Sequence, residues 1–231
     1  MEPSTYQAGA SGCAVAFSSV KAAKNVFMIL VALAIAGQLA GFAAVHWGGV
    51  LDEIHAAPSP STQPATDQIA KAHAVGSATL WKELLHWAMP AMKFLAVASM
   101  LLAVLTLMFA VKLAIVGRLG GIAGLMGAFF WSILLLAIVT PWQQVLGGEF
   151  ASGALHNLTE LTDAVSRVKP EWGATDVELF NQVLYYARFV AYPIVGLLVW
   201  LVVMLKFAGG YKESILSPIG TIPERPATPQ A

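Results

Sequence analysis

The segment FLAVASMLLAVLTLMFAV, bracketed by Lys93 and Lys112, runs for eighteen residues without a charge. Coiled as a helix rising about 1.5 Å per residue, it separates the two lysines by about 28 Å, close to the thickness of a bilayer's hydrocarbon core. Lipid offers backbone N–H and C=O groups no partner, so such a run spans as a helix and its flanking lysines reach opposite surfaces. Three more runs meet the same requirement. NVFMILVALAIAGQLAGFAAV lies between Lys24 and His46, IAGLMGAFFWSILLLAIVT ends at Pro141 and Trp142, and FVAYPIVGLLVWLVVML lies between Arg188 and Lys206. The expected fold is therefore all-α, a polytopic membrane protein with four transmembrane helices at 25–46, 94–117, 122–141 and 189–207. Only 11% of the chain is charged, against about 25% in an average soluble domain.

Sidedness follows from charge. Residues 1–24, 112–121 and 206–231 hold seven basic and three acidic side chains, whereas 46–93 and 141–188 hold six and ten. Cytoplasmic flanks of membrane proteins are enriched in Lys and Arg. Both termini are accordingly expected in the cytoplasm, with an N-terminal segment 1–24, a turn 118–121 built on GRLGG, and a Pro-rich tail 208–231. The membrane is expected to be the bacterial inner membrane. With thirteen basic and thirteen acidic residues in all, nothing favours nucleic acid as a partner. Cys13 is the single cysteine, which excludes an intrachain disulfide and a multi-cysteine metal site. The first apolar run is too long for a signal-peptide core and reads as a retained anchor.

The two longer loops are predicted to form a small helical extracytoplasmic cap. In 47–93, a Pro/Ser/Thr linker at 57–67 precedes an amphipathic helix at 77–93 that enters the second span, with a kink at Pro90. In 142–188, Leu158, Leu161, Val165 and Val168 recur at helical spacing and predict a helix near 150–168 stopped by Pro170. Thr175 and Glu178 form a capping-box pattern that predicts a second helix at 175–188. That helix continues into the last span, which Pro193 is expected to kink.

Small residues supply the packing signal. Ala32, Ala36 and Ala40 repeat every four residues beside Gly37 and Gly41, and Gly120, Gly124 and Ala128 do the same in the third span. In lipid, such faces allow helix backbones to approach closely. Packing within the chain is the preferred reading.

Chemistry is harder to place. The pairs His46–Trp47 and His86–Trp87 sit at the ends of spans, where headgroup-level residues collect. On a helix, His86 shares a polar stripe with Lys82, Glu83 and Lys93. Haem b would need two histidines from neighbouring helices, and His46 with His86 is the candidate pair. Trp142, in TPWQQ, marks a candidate quinone or headgroup pocket. No Asp, Glu, Arg, Lys or His lies deep in a span, and there is no GxSxG, HExxH or phosphate-binding glycine loop. The expected function is a non-enzymatic accessory or scaffold subunit of a larger membrane protein complex. Its partners are the lipid bilayer and other integral membrane subunits or copies of itself, without cofactor or metal. A haem b or quinone-binding electron-transfer subunit is the alternative, and a small-solute carrier or channel the second.

Overall fold

The computed structural model describes residues 3–47, 65–142, 153–168 and 179–216, with side chains from residue 15 in the first helix and from residue 83 in the second. Among these residues the chain is all-helical, and four of its helices are long and apolar enough to cross a membrane. It is an integral membrane protein. The elements are α1 (Pro3–His46), α2 (Ala65–Val116), α3 (Ile122–Val139), α4 (Leu158–Val168), α5 (Leu179–Tyr186), a π-helical turn (Ala187–Ala191) and α6 (Tyr192–Leu216).

Several boundaries differ from those expected. Helix α1 starts at Pro3, not near residue 25. Proline suits a first helical turn, where its missing N–H is no loss, and the Ala-rich stretch after it favours helix. Helix α2 starts at Ala65, inside the expected linker, and runs through Pro90 as one element. Helix α4 starts at Leu158 rather than near 150, because residues 153–157 run as a buried non-helical strap. The Ala154 N–H of that strap donates to the Ile138 carbonyl at 2.9 Å. Helix α3 stops at Val139. The Pro/Ser/Thr stretch up to residue 64, the Thr175–Glu178 capping box and the tail beyond residue 216 lie outside the described residues.

Pro193 follows a wider turn of the helix. It has no N–H for the Phe189 carbonyl, and the preceding turn opens to π geometry, with the Tyr192 N–H donating to the Ala187 carbonyl. Such turns absorb the proline while the helix continues.

The chain divides into two compact units. The first takes its described residues from Met1–Val31, Ala98–Ala137 and Leu197–Ala231. Here α2 ends in a Schellman motif. Leu119 N–H donates to the Ala114 carbonyl at 2.9 Å and Arg118 N–H to that of Ile115 at 3.2 Å, with Arg118 left-handed at φ 49°. Gly121 follows at φ 74°, where a side chain would be strained. Its Cβ position is filled by the Gly210 carbonyl oxygen. A Cβ on Gly124 would lie 2.8 Å from Gly210 Cα, and one on Gly210 would lie 2.7 Å from Leu125 N. Helices α3 and α6 thus touch backbone to backbone at glycines. Ser214 seals the contact: its hydroxyl lies 2.7 Å from the Gly120 carbonyl and 2.8 Å from its own Gly210 carbonyl. The helix runs on past residue 207, the expected end of the last span. Gly209 and Gly210 resemble a helix stop, but Gly210 is the contact point of a helix that continues to Leu216.

The second unit takes its described residues from Ala32–Val97 and Ile138–Gly196. Helix α4 turns Leu158, Leu161, Val165 and Val168 onto a cluster formed by Phe42 and Val45 of α1, Met89 of α2, Tyr185 of α5 and Phe189 of the π turn. These buried positions follow the helical repeat read in the sequence.

Gly210→Leu should lower stability by more than about 2 kcal/mol, since the added side chain meets backbone that cannot yield. Gly209→Leu, at a position with nothing within 4 Å, should leave the melting temperature unchanged or raised, because leucine is the better helix former. Thermal unfolding of the two variants in the same detergent compares them, and equal losses would contradict the contact.

Candidate functional site

Polar side chains gather in the second unit. His46 closes α1 with 7% of its surface exposed. Its Nδ1 lies 3.0 Å from the Tyr185 hydroxyl and its Nε2 lies 3.1 Å from that of Tyr186. A neutral imidazole donates from one nitrogen and accepts at the other, so one tyrosine accepts and the other donates. Phe42 stacks on the same ring at 5.2 Å, and Trp47 meets it edge-on at 5.3 Å. His46 is thus held in an aromatic cage.

His86 lies elsewhere, exposed on α2 with the exposed Trp87 edge-on at 6.2 Å. It lines a cavity with Pro90, Lys93, Phe94, Asn157 and Thr159, whereas His46 belongs to the aromatic cage. Trp142 is half-buried, just past Thr140 and Pro141 of the cavity wall. His46 and His86 therefore have separate surroundings, and Trp142 adjoins the wall of the cavity that His86 lines. Among the described residues, no group of three or more His, Cys, Asp or Glu side chains is placed to hold a metal.

The packing residues also divide. Gly37 and Gly41 face the thioether ends of Met92 and Met89, the latter 2.5 Å from where a Gly41 Cβ would stand. Gly124 meets Gly210, Ala128 is fully buried, and Gly120 accepts from Ser214. Ala32 is half-buried, whereas Ala36 and Ala40 are exposed. A spacing of four drifts around a helix of 3.6 residues per turn, which is why the alanine series leaves the packed face.

Four polar side chains that were not among the candidate site residues complete the second unit's polar chemistry. Lys93, 6% exposed, donates from Nζ to Asn157 Oδ1 at 3.3 Å. Arg188 of the π turn reaches Glu160 of α4 at 3.4 Å and lies over the Phe189 ring. His156, on the strap, is 2% exposed and meets Phe189 edge-on at 4.8 Å. Gln38 is fully buried in α1, and neither amide atom has a hydrogen-bond partner among the described residues. Lys93 was legible as a span flank, but its partner Asn157, on the strap, arrives from 64 residues further along the chain.

No family model, curated protein or solved structure matches the chain.

Burial, reinforced by the Arg188 and Lys93 charges, pushes the His156 imidazole down to about 3 from its ordinary 6.5. Below pH 6.5 the unfolded chain binds a proton that the folded chain refuses, so stability is full above that value and falls as pH drops towards 3. The loss reaches on the order of 2 kcal/mol by pH 5. Melting temperatures at pH 7 and pH 5 should separate for the native chain and converge for His156→Leu. Gln38→Met, which removes an unsatisfied buried amide at similar volume, should stabilise by about 1–3 kcal/mol. A lower melting temperature would show that the amide has a partner.

Proposed function

We propose that the chain is a non-enzymatic accessory or scaffold subunit of a membrane complex, embedded in the bacterial inner membrane with both termini and the Pro-rich tail in the cytoplasm. The excess of basic residues in the terminal and turn flanks supports that orientation. Its partners are other integral membrane subunits or further copies of itself.

One observation carries the reading. Leu33, Ala36 and Ala40 form an exposed line along α1, at intervals of three and four residues. This interval is the one at which two membrane helices interlock along their length. The line passes from a large side chain to small ones, and exposed alanines give lipid little surface while letting a second helix approach. Glycines 37 and 41, on the neighbouring face, are already taken by methionines of the same chain.

The buried polar groups support the same reading by what engages them. His46 has a tyrosine at each ring nitrogen, so iron ligation would first have to break one of those bonds. Lys24, 1% exposed, has its ammonium over the Phe207 ring at 4.2 Å and 3.1 Å from Met204 Sδ. Trp200 donates to the Met28 carbonyl at 2.8 Å. These contacts hold helices together.

The native chain should run as a larger assembly on native gels in mild detergent, and replacing Ala36 and Ala40 together by Leu should remove that assembly while leaving the melting temperature of the single chain unchanged. Assembly that survives the double substitution would sink the proposal. The electron-transfer alternative predicts a Soret band in the purified protein that disappears with His46→Ala, and the scaffold reading predicts no such band.

A further inference from the structure

The cavity beside α4 has a volume of about 490 Å³, within the range of small-ligand sites. Its rim residues His86, Pro90, Phe94 and Thr159 are exposed, so it opens at the surface. Phe94, Val97 and Leu158 make part of its wall apolar. Lys93 brings a cation into that wall while remaining 6% exposed.

The charge is incompletely matched. An ammonium has three N–H donors, and among the described residues Lys93 uses one, towards Asn157 at 3.3 Å. The nearby carboxylate, Glu160, is engaged by Arg188 at 3.4 Å. Helix α4 begins at the cavity, with Leu158 and Thr159 in its first turn lining the wall. The first N–H groups of a helix have no partner inside it and carry the positive end of its dipole. A buried cation, a helix start and a hydroxyl therefore meet beside an apolar wall at the end of a membrane span. That combination suits a ligand with an anionic oxygen group at one end and hydrocarbon at the other.

We propose that this cavity binds a phosphate headgroup, with Lys93 as the charge partner, Asn157 and Thr159 as polar contacts, and the wall at Phe94 and Val97 receiving the adjoining apolar part. The headgroup belongs either to an anionic phospholipid of the bilayer or to a free phosphate ion, and the two are separable.

The full chain, purified in mild detergent, is titrated with phosphatidylglycerol, with phosphatidylcholine of the same acyl chains, and with inorganic phosphate, and binding is read by native mass spectrometry and by the rise in melting temperature. Phosphatidylglycerol should bind more tightly than phosphatidylcholine. Lys93→Gln should weaken it about tenfold or more, the scale of one charge-assisted hydrogen bond. Lys112→Gln, at the exposed far end of the same run, should leave it unchanged. Val97→Trp keeps the lysine and fills the cavity, and it should also abolish binding. It decides the matter if Lys93→Gln fails to fold. Saturation by phosphate alone, lost in both cavity variants, identifies the free ion as the source, and saturation only by lipid identifies the bilayer. Equal binding of both lipids without any response to phosphate, or binding that survives Val97→Trp, overturns the proposal.

Discussion

Hydrocarbon supplies no hydrogen-bond partner, and it removes most of the hydrophobic drive for one helix to leave lipid for another. Contacts inside the spans must then come from close backbone approach and from polar side chains that find helical carbonyls. Helices α3 and α6 use both. Gly121, Gly124 and Gly210 bring the backbones together, and Ser214 then reaches across to the Gly120 carbonyl. The second contact depends on the first, because a serine side chain is too short to cross an ordinary interhelical distance. The indole of Trp200, a much longer side chain, makes the corresponding bond to the Met28 carbonyl.

In the second unit the constraint is met differently. Helix α4 is amphipathic and has a face that must be covered, and its leucines and valines do so against Phe42, Met89 and Phe189. Once that apolar cluster exists, any polar group at its border needs a partner from the cluster itself. His46 finds two tyrosines, and Arg188 finds Glu160. The π turn sets which side chains arrive there. Tyr185 and Tyr186 precede it, Arg188 and Phe189 lie within it, and Pro193 behind it removes the donor that a regular helix would require.

The four spans were legible because their signal is local: twenty apolar residues between charges have one physical outcome in lipid. The repeat of Leu158, Leu161, Val165 and Val168 was legible for a similar reason. Elsewhere local signals misled. Gly209 and Gly210 look alike in sequence, yet only Gly210 meets another backbone. Residues 153–157 continue the apolar character of α4 but run as a strap, with the Ala154 N–H paired to the Ile138 carbonyl of α3. The His–Trp pairs look equivalent too. His46 follows Phe42 by one helical turn and enters the aromatic cage, while His86 falls on the exposed side of α2. The polar stripe with Lys82 and Glu83 pointed to the place of His86, whereas the tyrosines that meet His46 come from 139 and 140 residues away.

The lysines show why the candidate site was the least legible part. Lys24 and Lys93 both flank apolar runs, and from sequence both should reach outward to water. Each is instead almost completely buried. Lys24 is enclosed by Phe207 and Met204, whose ring face and sulfur complement a cation. Lys93 is covered by the strap and the start of α4, where Asn157 of the strap supplies one amide oxygen and Leu158 and Thr159 border the cavity. A buried cation has to be compensated, because isolated charge is costly in a low dielectric. At Lys24 an aromatic ring and a sulfur surround the ammonium, and at Lys93 the protein provides a single weak acceptor beside a cavity. The difference lies in residues more than sixty positions away, and it separates a lysine that anchors a helix from one placed to receive an anion.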